Sequence, residues 1–424
     1  MKKSILLATA VAVGTFTGVH AQIVSGVSFL KGSWLQLAVS DCGTYTSGSD
    51  GAIVAAPGSY NENTIDGSLS FTNDVTQDGW NIGVPDQCGD FVMPGSPEEG
   101  FAIQIGGAGT VYANTQPWCY NYNMFVANAP GFPGNNVTNV NAGTTRKTLW
   151  QGVNTDLNLA VAQTTFWLSS KQSYITVVDI CNDGDDITNL FYARNADPDN
   201  DQLTTGDFTT ANNAKKQYAA AGYAQVTAGS VSGSPCYMAY VSADPRAKVS
   251  HGNFAMGEPS DMWLGAAGYT QTAGIVAADQ AIQISFKIDS LPNNACDCFT
   301  YSTMLTPDGL TNQLTLTTTA CATIGTLARY GEEVLDDYLN DPDAFLNNEM
   351  MAFPNPSNGA FTVNLFEIEH ANLVVTNTLG EIVYSANDVS KFVPVVLENA
   401  PTGLYFVNAY YGDGKVITKT IVVE

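Results

Sequence analysis

Apolar and polar residues alternate along most of the chain, and this alternation predicts β-strands. Between residues 281 and 288, every even-numbered residue is apolar. A period of two places these side chains on one face of a strand, which we expect to pack on a core. The same kind of pattern predicts strands at residues 34–39, 101–105, 157–168 and 174–180. Up to residue 329, only residues 211–218 show a weak helical pattern.

The last part of the chain has a shorter and more regular pattern. Residues 353–359 are turn formers that include two prolines, which fix φ and block helix formation. Asp413-Gly414 separates two alternating runs, which is a strong hairpin signal. The runs predict a small antiparallel sandwich with strands at 361–365, 372–376, 382–384, 403–409 and 416–423.

This C-terminal segment resembles the type A C-terminal sorting domain of proteins exported by the type IX secretion system of Bacteroidota. The positions that carry the resemblance occur in the expected order and are Pro354, Asn355, Pro356, Asn358, Gly359, Gly380, Gly403, Tyr405 and Lys419. The resemblance implies an immunoglobulin-like domain at 351–424, the type IX machinery as a partner, and delivery to the outer cell surface or the medium. The alternative is an immunoglobulin-like module used for packing or binding.

The N-terminus predicts a signal peptide at residues 1–21 and export to the periplasm. Lys2 and Lys3 precede an apolar run that ends at Val19, and Ala21 is the small residue that a signal peptidase needs. No other run approaches the roughly 18 uncharged apolar residues of a membrane helix. We therefore expect no transmembrane helix in the exported chain.

Composition narrows the class of protein. The net charge of −24 argues against nucleic-acid binding, because phosphate contacts need Lys and Arg. The chain is 45% hydrophobic and only 13% charged, which is typical of an ordered secreted β-protein. We predict an all-β chain: a large β-sandwich body at 22–329, an acidic linker at 330–350, and the small C-terminal sandwich. The segment 182–201, with residues 94–100 before it, also resembles, more weakly, sandwich modules of bacterial surface and adhesin-type proteins, which implies a supersandwich-like body.

The body contains all of the cysteines, and their even number predicts up to four disulfides in an exported protein. They are Cys42, Cys88, Cys119, Cys181, Cys236, Cys296, Cys298 and Cys321. The pairing is open, but Cys296 and Cys298 are too close along the chain to pair with each other without strain. A zinc site is the rival interpretation, although neither Cys-x2-Cys spacing nor a suitable set of histidines is present.

The richest polar cluster of the body, at residues 182–201, predicts a Ca²⁺ site. Its candidate ligands are Asp183, Asp185, Asp197, Asp199 and Asp201. The last three alternate, as oxygen ligands do at the start of a calcium loop, but Gln202 and Leu203 break the EF-hand pattern. The alternative is a solvated acidic loop in which Asp side chains cap turns. Arg194 lies beside these acidic residues in the sequence. Its alternative role is that of one member of a buried structural ion pair.

Two functional hypotheses follow. The first is a secreted or surface-displayed protein with a binding, adhesive or structural role, whose partners include surface glycans or other surface proteins. Aromatic residues near the long loops, such as Trp80 and Trp118, predict a platform on which sugars stack; the alternative is that they are core and rim aromatics of the sandwich. The second is a secreted glycoside hydrolase or lyase that uses loop carboxylates. Glu98 and Glu99 are carboxylates of this kind, but the sequence before them predicts that they lie at the exit of a turn. The body has one histidine, His251, and no Gly-x-Ser-x-Gly motif, so no catalytic triad is indicated.

Overall fold

The computed structural model describes most of the body and most of the C-terminal domain. The described residues are 21–49, 52–57, 69–75, 77, 87–88, 91–92, 98–107, 109–115, 134–142, 145–154, 156–200, 202, 206–254, 257–321, 350–353, 357, 359–365, 368, 370–390, 392–397, 400–412 and 414–423. The predicted signal peptide up to residue 20, the linker up to residue 349, and the loop aromatics Trp80 and Trp118 lie outside them.

The described part of the body is mostly β-structure. In chain order its strands are β1 (Ala21–Val24), β2 (Val27–Lys31), β3 (Leu35–Val39), β4 (Gly48–Ser49), β5 (Ala52–Ile53), β6 (Phe71–Asp74), β7 (Gln87–Cys88), β8 (Glu99–Ile105), β9 (Val111–Thr115), β10 (Gly134–Ala142), β11 (Thr145–Asn154), β12 (Leu159–Leu168), β13 (Ser173–Asn182), β14 (Ile187–Ala196), β15 (Thr210–Lys216), β16 (Ala224–Ser230), β17 (Tyr237–Ser242), β18 (Ala247–Gly252), β19 (Val276–Ala278), β20 (Ala281–Leu291) and β21 (Ala295–Met304).

Three antiparallel sheets share one hydrophobic core. The largest has nine strands in the order β10-β11-β12-β13-β21-β17-β16-β15-β19. A five-stranded sheet has the order β18-β20-β14-β8-β9, and a second has the order β1-β2-β3-β6-β7. Side chains from all three, such as Trp150, Ile284 and Leu37, belong to a single buried cluster. The alternating run at 281–288 places Ile282, Ile284, Phe286 and Ile288 in this core, which confirms the predicted all-β sandwich.

Within the described residues, the following short helices lie between the strands: α1 (Tyr218–Ala221), α2 (Pro259–Leu264) and α3 (Leu310–Ala320). The helical reading of residues 211–218 is wrong, because residues 210–216 form strand β15 between β16 and β19. Tertiary pairing overrides the local preference of its alanines and lysines.

Disulfides tie distant parts of the body together. Cys88 pairs with Cys236, Cys181 with Cys296, and Cys298 with Cys321. Cys181 and Cys296 lie directly opposite each other on β13 and β21, with Cα atoms 4.0 Å apart. As predicted, Cys296 and Cys298 each reach a partner elsewhere. Cys42 is also disulfide-bonded, and Cys119 lies outside the described residues.

The C-terminal domain is a second, smaller sandwich with its own core. Its strands are β22 (Met351–Phe353), β23 (Ala360–Asn364), β24 (Ala371–Asn377), β25 (Ile382–Val389), β26 (Phe392–Val396), β27 (Gly403–Tyr411) and β28 (Lys415–Val423). They form a three-stranded sheet, β22-β23-β26, and a four-stranded sheet, β25-β24-β27-β28. Buried residues of both sheets, such as Val363 and Val407, form one cluster.

Candidate functional site

The pairing of β14 with its two neighbours brings acidic residues to one corner of the five-stranded sheet. Ala196, the last residue of β14, lies opposite Glu99 on β8 and Ile282 on β20. Asp197 therefore follows the end of β14 at the point where β8 and β20 begin. Asp279 belongs to the two-residue connection that leads into β20, so it approaches the same corner. We call Glu98, Asp197, Asp199 and Asp279 the acidic corner.

Backbone hydrogen bonds hold the turn after β14 in place. The Asp197 N–H donates to the Glu98 carbonyl at 2.9 Å, and the Asp199 N–H donates to the Phe91 carbonyl at 2.8 Å. The Asn200 side-chain amide donates to the carbonyl of Ala228, on β16, at 2.9 Å. These contacts fix the turn between the two large sheets, so the acidic side chains project from a defined backbone.

Three carboxylates of the acidic corner converge. One oxygen from each of Asp197, Asp199 and Asp279 lies within 4.8 Å of the other two. Asp199 is only 4% exposed and Asp197 only 9%, whereas Asp279 is exposed. Across the described residues, no donor reaches Asp199 Oδ1 or Glu98 Oε2, although both atoms are buried. The acidic corner is thus rich in acceptor oxygens and poor in donors.

Burial and mutual repulsion make these carboxyl groups hard to ionise. Burial, with a further contribution from Asp279, raises the pKa of Asp197 to about 7. Burial, Asp197 and Asp279 raise the pKa of Asp199 to about 9. Burial, Asp197 and Glu99 also raise the pKa of Glu98 well above its ordinary value. A cation would remove this penalty, because an opposite charge nearby favours the ionised form.

The structure divides the predicted ligands into two places. Asp183 and Asp185 lie in the turn between β13 and β14, where the Asp183 N–H donates to the Asn158 carbonyl and the Asp185 carbonyl accepts from the Asn182 amide. Ten residues of β14 separate this turn from Asp197, a span of roughly 30 Å. One ion cannot use both ends of β14. Asp201 lies outside the described residues.

Sequence reasoning did not find Asp279 or the role of Glu98. Neither is close to Asp197 along the chain, and only the pairing of β14 with β8 and β20 brings them together. The turn that Glu98 and Glu99 are predicted to follow lies outside the described residues. Both side chains are buried, and Glu99 opens strand β8.

Arg194 is the buried ion-pair residue that its surroundings in the sequence suggested, and its partner is Glu99. Arg194 Nε donates to Glu99 Oε1 at 2.5 Å, and both side chains are fully buried. Burial opposes the charge on Arg194, but Glu99 and nearby tyrosines outweigh it and hold the pKa of the guanidinium above its ordinary value. This pair lies inside the sandwich and serves the fold, not the acidic corner.

In the C-terminal domain, the sorting-motif positions within the described residues support turns and packing. Gly359 and Gly380 have φ values of 91° and 82°, which favour glycine. The Tyr405 hydroxyl donates to the Pro401 carbonyl at 2.7 Å, and Gly403 and Lys419 belong to the paired strands β27 and β28. Ser357 donates its N–H to Val422 at 2.8 Å, which joins the start of the motif to the last strand. Pro354, Asn355, Pro356 and Asn358 lie outside the described residues.

Comparison with solved structures gives weak similarities. A protein with an immunoglobulin-like β-sandwich fold from Bacteroides vulgatus is 16% identical with a TM-score of 0.17, covering 18% of this chain and 86% of that one. A bacterial glucoamylase complexed with acarbose is 11% identical with a TM-score of 0.36, covering 76% and 34%. PorZ, a surface component of the type IX secretion system of Porphyromonas gingivalis, is 10% identical with a TM-score of 0.17, covering 95% and 59%. The chain thus spans less than two thirds of the glucoamylase and of PorZ.

The family comparison is specific for the C-terminal domain. Residues 351–424 match the sequence profile described as the secretion system C-terminal sorting domain, whereas no curated protein matches the chain. In the part of the chain that the structure describes, no helix has the length and apolar character needed to cross a membrane. The match at residues 351–424 identifies the chain as type IX secretion cargo, which its C-terminal sorting domain directs to the cell surface or the medium.

Proposed function

We propose that this chain is a secreted or surface-displayed β-sandwich protein with a binding role, and that its body holds a Ca²⁺ ion at the acidic corner. The observation that supports the ion is the convergence of Asp197, Asp199 and Asp279 within 4.8 Å, with no donor among the described residues for the buried Asp199 Oδ1. Three carboxylates so close together repel one another unless a proton or a cation lies between them.

The chemistry of the ligand atoms favours calcium among the common metals. All of the converging atoms are carboxylate oxygens, which suit hard cations, whereas zinc and copper sites are built from imidazole and thiolate. Ca²⁺ tolerates irregular geometry and a mixture of carboxylate and water ligands. The medium outside the cell would supply the ion once the protein has been exported.

The ion would also stabilise the sandwich. Asp279 connects β19 of the nine-stranded sheet with β20 of the five-stranded sheet, and Asp197 and Asp199 follow β14. A cation held by all three would therefore join the two large sheets at one corner.

Thermal unfolding of the purified full chain in EDTA and in Ca²⁺ tests this proposal. Free Ca²⁺ at 100 times its Kd should stabilise the folded protein by about 2.7 kcal/mol, and calorimetric titration should show one ion bound at this corner. Asp199→Asn should abolish the Ca²⁺-dependent rise in Tm. Asp183→Asn is the matched control, because it removes the same charge from the distant turn and should keep the rise. An equal rise in both variants, or no rise in the unsubstituted protein, would overturn the proposal.

A further inference from the structure

We infer that the ion at the acidic corner presents free coordination positions to the solvent and binds there the adjacent hydroxyl groups of a neutral sugar. This inference rests on the proposed Ca²⁺ site. It specifies the class of ligand that the ion binds. Three observations support this class independently: the exposed side of the site, the local charge, and an aromatic residue nearby.

The acidic corner is closed on one side and open on the other. Asp197 and Asp199 are buried, whereas Asp279 is exposed. Ca²⁺ takes six to eight oxygen ligands, and three carboxylates supply three to six of them according to how many bind with both oxygens. The remaining positions face the side of Asp279, where water or a soluble ligand can enter.

The local charge favours neutral oxygen ligands. Three carboxylates carry one more negative charge than Ca²⁺ neutralises, and Asp207 lies close enough to act electrostatically on Asp279. The whole chain carries a net charge of −24. An incoming carboxylate, sulfate or phosphate would be repelled, whereas a hydroxyl group brings an oxygen without charge. A pair of adjacent sugar hydroxyls can fill two neighbouring coordination positions at once.

An exposed aromatic side chain lies at the same end of the strand pair. Thr210 of β15 is paired with Ala278 of β19, so Phe208, just before β15, and Asp279, just after β19, lie at the same end of that pair. Phe208 is 38% exposed, so its ring is accessible from solvent at this end of the strand pair. Ligand sites commonly combine an aromatic surface with a few polar groups that fix orientation. Phe208 provides such a surface for the apolar face of a sugar ring.

Titration of the full chain with methyl glycosides of mannose, galactose and fucose tests this inference, with N-acetylneuraminic acid as the anionic comparison. The Ca²⁺-loaded protein should bind at least one neutral glycoside, and excess EDTA should weaken that binding by at least about tenfold. Phe208→Ala should weaken glycoside binding while leaving Ca²⁺ binding unchanged. Leu264→Ala is the control, because Leu264 is an exposed apolar residue on α2 and should leave both unchanged.

The possible failures can be told apart by measuring Ca²⁺ binding in the same samples. If Ca²⁺ binds but none of the neutral glycosides does, the sugar inference is overturned and the ion site stands. If a glycoside binds equally well in EDTA, its site lies elsewhere and the inference is also overturned. Preference for N-acetylneuraminic acid would contradict the charge argument. If Ca²⁺ itself does not bind, the proposed function fails, and this inference fails with it.

Discussion

The buried pair of Glu99 and Arg194 gives the sharpest prediction for the stability of the body. The guanidinium of Arg194 donates to Glu99, to the Gln163 side chain at 2.7 Å and to the Gly43 carbonyl at 3.2 Å. The other oxygen of Glu99 accepts the Tyr45 N–H at 2.6 Å. The pair therefore connects β8 and β14 to residues 43–45, and the Arg194 Cζ atom lies 4.1 Å from the centroid of the Tyr45 ring.

Glu99→Gln keeps the size of the side chain and removes its charge. The Arg194 guanidinium is then buried without a counter-ion, and either Arg194 or the Tyr45 N–H faces an amide donor instead of an oxygen. Removal of one partner of a buried ion pair costs about 3 to 5 kcal/mol. This is a large share of the roughly 5 to 15 kcal/mol by which domains are stable.

Urea unfolding followed by tryptophan fluorescence measures the effect as a lower transition midpoint. The double variant Glu99→Leu with Arg194→Met should be less destabilised than Glu99→Gln, because it leaves no unpaired charge in the core. Asp289→Asn is the surface control: Asp289 is paired with Lys287 but is 85% exposed, and its loss should change stability by less than about 0.5 kcal/mol. If Glu99→Gln unfolds at the same urea concentration as the unsubstituted protein, the reasoning about the buried charge is refuted.

Three further predictions follow from the structure. The Ca²⁺ affinity should rise between pH 6 and pH 9, because the pKa values of Asp197 and Asp199 are about 7 and about 9 and each carboxyl group must lose its proton to bind the ion. Calorimetry at several pH values measures this affinity. An affinity that does not change with pH would count against these ligands. Replacing both Cys181 and Cys296 by Ser should destabilise the body by about 2 to 5 kcal/mol in denaturant unfolding, and an unchanged midpoint would mean that the strand pairing alone suffices. Removal of residues 351–424 should retain the protein in the periplasm, as immunoblots of cell fractions would show, whereas unchanged secretion would contradict the assigned export route.

The strands could be predicted from the sequence where one face of a strand is buried, because that burial imposes an alternating pattern. Residues 281–288 are an example. Helix α3 could not be predicted, since its sequence contains five threonines, which have low helix propensity. Its position depends instead on tertiary contacts, which include the Cys298–Cys321 disulfide and packing against β21.

The acidic corner shows the same limit. Asp197 and Asp199 are visible in the sequence because they alternate along a turn-forming segment. The sequence does not indicate that Asp279 and Glu98 lie close to these two residues. Their position depends on which strands pair with β14, and the sequence does not reveal that pairing. Closeness along the chain predicts that Asp183 and Asp185 share a site with Asp197 and Asp199. An extended strand between the two groups places them at opposite ends of the sheet.

The most direct test of the central claim is a crystal structure of the exported protein grown in Ca²⁺, with anomalous diffraction measured to locate the ion. We expect one strong peak at the acidic corner, about 2.3 to 2.6 Å from oxygens of Asp197, Asp199 and Asp279, with further ligands on the exposed side. No peak between these three carboxylates at saturating Ca²⁺, or a strong peak only beside Asp183 and Asp185, would contradict the claim.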